Sequence, residues 1–116
     1  MTVKNLEKYF ISATATIEEV ITMIQVNESR CVIVVADDRR VIGMFSEGDV
    51  LRAILAGIDV HAPIESLVNR SFKYLNSRDM DRALLLIRNG YTLIPVVDTD
   101  FKLTDVITLK HVFPPV

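Results

Sequence analysis

The sequence of 116 residues has little of what marks several large classes of protein. It contains one cysteine and no tryptophan. A single cysteine cannot form a disulfide within the chain, which favours a reducing compartment, and Cys31 lies in the apolar run CVIVVA as a candidate buried thiol. No apolar run approaches the roughly 20 residues of a membrane span, and the N-terminus lacks the apolar core of a secretory signal. We therefore expect a cytoplasmic protein with no membrane association.

An excess of one charge is also missing. Thirteen Lys and Arg face fifteen Asp and Glu, giving a formal net charge of −2. The signs are interspersed, so we expect no nucleic-acid partner. His61, His111 and Cys31 are too scattered for a zinc site, and neither a Walker-type glycine loop nor a catalytic triad is present. We predict a chain without catalytic activity or metal, whose 50% hydrophobic residues suffice for one ordinary core.

The most informative stretch is the junction VIGMFSEGDVLRAIL, residues 41–55. It predicts a strand over Val41–Phe45 and then a helix with Ser46 as the N-cap. Glu47 and Asp49 fall in the first helical turn, where the helix dipole favours negative charge. The Ser46 hydroxyl and the Asp49 carboxylate, beside unpaired N–H donors, suit a phosphate and a sugar hydroxyl. Capping and dipole complementation also explain both residues without any ligand.

The remaining elements follow from capping and periodicity. Thr16 and Glu19 have the form of a capping box before a helix over 17–27, and a second helix begins at Asp79 and ends at Gly90. A short helical turn is predicted in PIESLV, residues 63–68. The other strands and the final helix are predicted at Arg30–Ala36, Ser71–Leu75, Tyr91–Val97, Lys102–Ile107 and Thr108–Phe113.

The same order of elements occurs in both halves of the chain. We align Val34–Asp37 with Pro95–Asp98, and Val41–Ser46 with Leu103–Thr108. Each copy alone is too small to bury its sheet well. We therefore predict two units about a pseudo-twofold axis, with the sheets facing each other, the helices outside and a cleft between the halves.

These motifs resemble the signature of a CBS domain pair, or Bateman module. That signature is an apolar strand ending in Pro-Val-Val-Asp, then Gly-x-x-Thr/Ser-x-x-Asp at a strand-to-helix junction. The residues that match are Gly43, Ser46 and Asp49 in the first copy and Ile94–Asp98 in the second. The second copy departs from it, since Asp105 replaces the glycine and His111 the aspartate, while Thr108 keeps the hydroxyl.

The resemblance implies an α+β fold of tandem β-α-β-β-α repeats with a central cleft. It places the first repeat at residues 10–57, a connector at 58–70 and the second repeat at 71–113. The runs Lys4–Ile11 and Ser46–Ile58 are similar to the N-terminal CBS pair of bacterial sugar nucleotidyltransferases. Arabinose 5-phosphate isomerases carry a similar run. The chain would then regulate an attached or partner nucleotidyltransferase domain, with VFPPV at the C-terminus as a linker.

The resemblance also implies a site. CBS pairs commonly bind adenine nucleotides between the repeats, so AMP, ADP or ATP is the expected ligand and no cofactor is required. Asp49 would bond the ribose hydroxyls, and Ser46 would lie near the phosphate. Phe72 and Leu93 would flank the base, and Lys110 would reach the phosphates. The full expected set is Ser46, Asp49, Ser71, Phe72, Thr92, Leu93 and Lys110.

A mirror cleft would be formed by Ile11, Ser12, Cys31, Val32, Thr108 and His111. It lacks the aspartate, so we predict at most one competent site per chain. The alternative function is a structural homodimerisation module with no ligand, and a homodimer through the outward helices is expected in either case. A cleft filled by Phe72, Tyr74 or Tyr91 would favour the structural alternative.

Overall fold

The computed structural model describes residues 5–113, so Lys4 of the compared run and residues 114–116 of the expected linker lie outside it. Short 3₁₀ helices lie at Leu6–Lys8 and, as predicted within PIESLV, at Glu65–Leu67. The strands are β1 (Phe10–Ser12), β2 (Cys31–Val35), β3 (Val41–Ser46), β4 (Leu93–Val97) and β5 (Leu103–Thr108). The α-helices are α1 (Ile17–Asn27), α2 (Glu47–Leu55), α3 (Met80–Arg88) and α4 (Leu109–Val112).

The strands form two sheets, which gives the predicted α+β fold. In the first sheet β2 lies between β1 and β3, parallel to β1 and antiparallel to β3. The second sheet pairs β4 with β5 antiparallel. A cluster of buried side chains joins residues of both sheets, among them Ile33, Val35, Leu93 and Val106. Because this core belongs to both halves, neither half buries its sheet without the other.

The local capping signals are confirmed. Thr16 Oγ1 accepts the Glu19 N–H at 3.2 Å, and Glu19 Oε1 accepts the Thr16 N–H at 3.1 Å. One face of α1 is buried through Ile17, Val20 and Ile24. The expected left-handed glycines Gly57 and Gly90, with φ of 82° and 98°, follow α2 and α3.

The alignment of the repeats needs a correction of one residue in the sheets. Cys31 pairs with Ser46 and Val35 with Val41, whereas Leu93 pairs with Thr108 and Val97 with Leu103. Val35 therefore corresponds to Val97, and Ile33–Ala36, rather than Val34–Asp37, corresponds to Pro95–Asp98. A continuous β-branched run is buried on both faces, so it carries no alternation from which the register could be predicted.

The strand predicted at Ser71–Leu75 is wrong except at its last residue. Of these residues, Leu75 alone forms a bridge, and its partner is Val96. The Leu75 N–H donates to the Pro95 carbonyl at 2.9 Å, and the Leu75 carbonyl accepts the Val97 N–H at 2.9 Å. In the first repeat the ladder extends further, because the Ile33 N–H donates to Tyr9 at 2.8 Å. Pro95 takes the place of Ile33 and has no N–H to donate, so the ladder stops.

The connector crosses from the first sheet to the second. Asn69 exchanges backbone hydrogen bonds with Met44 of β3, at 2.9 and 3.0 Å. A Cβ on Gly43 would overlap the Val68 side chain and lie 2.5 Å from the Asn69 carbonyl oxygen. The glycine of the signature is therefore required here by the close approach of the connector backbone.

Candidate ligand cleft

A cavity of about 570 Å³ opens between the two repeats. Its wall contains six of the seven expected residues, namely Ser46, Asp49, Ser71, Phe72, Thr92 and Leu93. It also contains residues that sequence reasoning did not assign to this site, among them Arg30, Cys31, Arg52, Lys73 and Tyr91. Phe72 and Tyr91 form part of the wall without filling the space. A volume of this size falls within the range of small-molecule sites.

Ser46 and Asp49 are held by a capping box at the start of α2. Asp49 Oδ2 accepts the Ser46 N–H at 2.9 Å and the Ser46 hydroxyl at 3.0 Å. The Asp49 N–H donates back to Ser46 Oγ at 3.2 Å. The carboxylate therefore caps the helix as well as complementing its dipole.

The N–H groups of this first turn are not as open as the sequence suggested. The Glu47 N–H donates to the Arg30 carbonyl at 2.9 Å, and the Asp49 N–H to Ser46 Oγ. The hydroxyl proton of Ser46 is directed to Asp49. An anion in the cleft therefore depends on side-chain cations more than on the helix N-terminus. Arg30, Arg52 and Lys73 are three such cations on the wall.

The wall opposite α2 is formed by the start of β4 and its neighbours. The Thr92 hydroxyl donates to the Ser29 carbonyl at 2.5 Å, which ties the second repeat to the first. Cys31 Sγ lies 3.9 Å from Thr92 Oγ1. Burial raises the pKa of the Cys31 thiol to about 11, so it is a protonated structural thiol at neutral pH.

The aromatic side of the cleft is formed by rings that pack against one another. Phe72 is half-buried and packs against Tyr74 and Phe101, with ring centroids 5.9 and 6.1 Å away. Tyr74 and Phe101 meet edge to face at 4.7 Å. The Ser71 N–H donates to Asn69 Oδ1 at 3.0 Å, which turns the chain into the cleft. The Phe72 ring is thus supported from behind as a flat apolar surface.

Lys110 is not brought to this cleft. It lies on a smaller cavity of about 180 Å³, and its Nζ is 3.5 Å from Glu28 Oε2. The sequence analysis expected Lys110, at the start of α4, to reach the cleft that contains Ser46. In the structure the start of α4 lies at the smaller cavity instead. Lys110 corresponds to Gly48, since Ser46 corresponds to Thr108.

The mirror cleft also differs from expectation. Thr108 lines the smaller cavity, together with Arg30 and Thr92. Val32 is fully buried in the first core, and Ile11 packs against that core. Cys31 lines the larger cavity instead. The one-residue correction of the alignment accounts for Val32, because Leu93 corresponds to Cys31 and the adjacent Val32 side chain points to the opposite face.

His111 stands where the second aspartate was expected. Its Nδ1 accepts the Thr108 N–H at 3.0 Å, so it takes over the capping role of Asp49. Burial, with the Arg78 charge nearby, lowers the pKa of His111. A neutral imidazole in this role is not a charged acceptor for ribose hydroxyls.

Neither a metal centre nor a membrane span is indicated within residues 5–113. No group of three or more His, Cys, Asp or Glu side chains comes close enough there to hold a metal ion. No helix in that range has the length and apolar character needed to cross a bilayer.

Solved structures share this fold. The CBS domain protein PAE2072 from Pyrobaculum aerophilum complexed with AMP is 24% identical, with a TM-score of 0.71, and the match covers 94% of this chain and 89% of that one. CBSX2 in complex with AMP is 19% identical, with a TM-score of 0.73 and coverage of 97% and 89%. At these identities the likeness establishes the fold.

The match to a family model covers the first repeat. Residues 3–56 match the model of the CBS domain family. Arabinose 5-phosphate isomerase GutQ from Escherichia coli O6:H1 is 31% identical over 84 residues, 70% of this chain. The chain spans less than two thirds of the curated relatives that it matches, 63% of one and 26% of this isomerase. These relatives do not support the likeness to nucleotidyltransferases.

Two repeats, a shared core and a cleft between them give this chain the fold of the tandem CBS domain structures. Residues 3–56, which contain the full signature Gly43, Ser46 and Asp49, match the CBS domain family. The second repeat has Asp105 and His111 at the positions of the glycine and the aspartate.

Proposed function

We propose that this chain is a regulatory module, without catalytic activity, that binds an adenine nucleotide (AMP, ADP or ATP) in the cleft. The observation that carries the proposal is the convergence of Ser46, Asp49, Ser71, Phe72, Thr92 and Leu93 from both repeats on one cavity of about 570 Å³. The AMP complexes of PAE2072 and CBSX2 support this class of ligand. In this proposal the first repeat is residues 10–57 and the second is residues 71–113, joined by residues 58–70. The cleft needs both repeats, because residues of each form its wall.

In this proposal Asp49 accepts from the ribose hydroxyls, and Phe72 and Leu93 flank the base. The cations beside the phosphates are Arg30, Arg52 and Lys73, in place of Lys110. A ligand that touches both repeats favours a closed cleft, and a partner domain attached to either repeat senses the shift in population.

The regulated partner would be a catalytic domain outside this chain. The sequence likeness suggests a sugar nucleotidyltransferase, whereas the match to GutQ suggests a sugar-phosphate isomerase. The chain corresponds to about a quarter of that isomerase, which fits a module attached to a larger enzyme. A cytoplasmic location suits the buried free thiol of Cys31.

Calorimetric titration with AMP, ADP, ATP and CMP tests the proposal. We expect about one adenine nucleotide per chain, because the second cavity is smaller and lacks a carboxylate at the position of Asp49. Asp49→Ala should weaken binding by about tenfold or more, since a hydrogen bond to a charged group contributes roughly 1.5–3 kcal/mol.

Glu19→Ala is the matched control, because it removes the same capping interaction from α1 outside the cleft. Each variant should lose about 0.5–2 kcal/mol of stability from its cap, but only Asp49→Ala should lose affinity. No heat from any nucleotide, together with an unchanged melting temperature, would contradict nucleotide sensing.

A structural homodimerisation module is the second candidate, favoured by the apolar surface of α2. Leu51 and Leu55 are 62% and 86% exposed on that helix. Exposed leucines grouped on one helix are a common feature of protein interfaces. This role needs no ligand, and it is also compatible with a dimeric sensor.

A further inference from the structure

The Asp49 carboxylate, the proposed ribose acceptor, already forms an ion pair with Arg52. Arg52 Nη2 donates to Asp49 Oδ1 at 2.6 Å, and both side chains lie on the wall of the cleft. The Asp49 side chain is 18% exposed, whereas that of Arg52 is 72% exposed. The guanidinium therefore reaches from solvent onto a carboxylate that is otherwise largely enclosed.

The acceptor capacity of Asp49 makes this contact relevant to binding. A carboxylate has about four lone-pair sites. Three are used, two on Oδ2 by the capping box and one on Oδ1 by Arg52. Two ribose hydroxyls need two acceptor sites, so the guanidinium has to leave Oδ1. Because Arg52 is solvent-exposed, its ion pair is weak enough for a ligand to displace it.

Once released from Asp49, the Arg52 guanidinium is close to where a ligand phosphate would bind. Arg52 Nη1 and Nη2 lie 3.4 and 3.5 Å from the point where a side chain on Gly48 would begin, so the group lies over the first turn of α2. The N–H groups of Glu47 and Asp49 already donate within the protein. With these two donors taken, a phosphate at this end of the cleft gains from a side-chain donor, and a guanidinium can bind it through two parallel hydrogen bonds.

We infer that Arg52 is a specificity-determining residue that couples ribose binding to phosphate binding. In the empty cleft it competes with the ribose for Asp49, and in the occupied cleft it exchanges the carboxylate for the phosphate. A nucleoside breaks the ion pair without offering a replacement, so the cleft selects nucleotides over nucleosides. This inference rests on the nucleotide-binding function proposed above.

Titrations with AMP and with adenosine test the role of Arg52. Arg52→Ala should weaken AMP binding about tenfold or more, through loss of the phosphate contact. It should also strengthen adenosine binding by up to about fivefold, because the competing ion pair is gone. Arg52→Lys keeps the charge but lacks the planar fork, so its AMP-to-adenosine preference should fall between the two.

Arg88→Ala is the matched control, an exposed arginine on α3 that does not line the cleft. It should leave both affinities unchanged. If Arg52→Ala changes AMP and adenosine equally, or changes neither, the role of Arg52 is overturned while AMP binding by the unmodified chain still upholds the sensor. If the unmodified chain binds neither ligand, both proposals fall.

Discussion

At the scale of single residues, the signature positions have structural roles that exist before any ligand binds. Asp49 caps α2 and pairs with Arg52, and Gly43 makes room for the connector. A residue of this kind is constrained twice, so its substitution affects both stability and binding. Experiments on this cleft therefore need variants that separate the two effects.

Gly43→Ala tests the space over β3. The added methyl would overlap Val68 and lie 2.5 Å from the Asn69 carbonyl oxygen, so the connector has to shift. We expect a loss of about 1–3 kcal/mol, the usual cost of overpacking, measured by urea unfolding.

Gly48→Ala is the comparison for Gly43→Ala. Its Cβ would meet the far end of the Arg52 side chain at 3.4 Å and Ser46 Oγ at 3.6 Å, without a backbone clash. The variant should keep or gain stability, by up to about 1 kcal/mol from the higher helix propensity of alanine. Equal stability of the two variants would show that the connector does not press on Gly43.

At the scale of elements, the two sheets satisfy the outward backbone N–H and carbonyl groups of β3 and β5 in different ways. In the first repeat, the backbone of Asn69 satisfies both polar groups of Met44. Val106 is the counterpart of Met44 in β5. Its N–H donates to Asp105 Oδ1 at 2.9 Å, and its carbonyl accepts from Arg78 Nη1 at 3.4 Å. The side chains of Asp105 and Arg78 thus take the place of a connector backbone, which explains why this repeat does not need the glycine.

Removing Asp105 should therefore destabilise the second repeat. Arg78 Nη1 and Asp105 Oδ2 are 2.6 Å apart, and the Asp105 side chain is 7% exposed. Asp105→Ala leaves a partly buried guanidinium and the Val106 N–H without this acceptor, so we expect a loss of about 3 kcal/mol in urea unfolding.

The double variant Asp105→Ala/Arg78→Met controls for the stranded charge. It should be more stable than Asp105→Ala alone, because no unpaired guanidinium is left at this edge. If the single variant unfolds at the same urea concentration as the original chain, the pair does not stabilise the edge of β5.

At the scale of the whole molecule, the exposed apolar side of α2 predicts self-association. Leu51, Ile54 and Leu55 are exposed on this one helix. We expect sedimentation at twice the chain mass of 13.1 kDa, and a shift toward the monomer in Leu55→Glu, because a charge in an apolar interface is costly.

Val26→Glu provides the control for self-association. Val26 is 60% exposed on α1, so this substitution adds the same charge to a different helix. It should leave the dimer intact. A monomeric original chain would exclude the homodimer, and with it the structural alternative.

Signals that act over three or four residues were sufficient to predict where these helices begin and end. The capping box at Thr16, the N-cap at Ser46 and the glycines after α2 and α3 depend only on neighbours along the chain, and each is confirmed. The repeat of such signals also indicated the tandem architecture. The six cleft residues that the structure brings together were implied by the resemblance to CBS domain pairs.

Tertiary structure decided what depends on the path of the chain between sheets. Three features depend on contacts between segments that are distant in the sequence: the correspondence of β2 with β4, the single bridge at Leu75 and the placement of Lys110 at the other cavity. The contact between Arg52 and Asp49 is local, yet its importance depends on a wall supplied by the second repeat. Sequence determined the elements because capping and periodicity are short-range, whereas the cleft required the fold because its contacts join residues far apart in the chain.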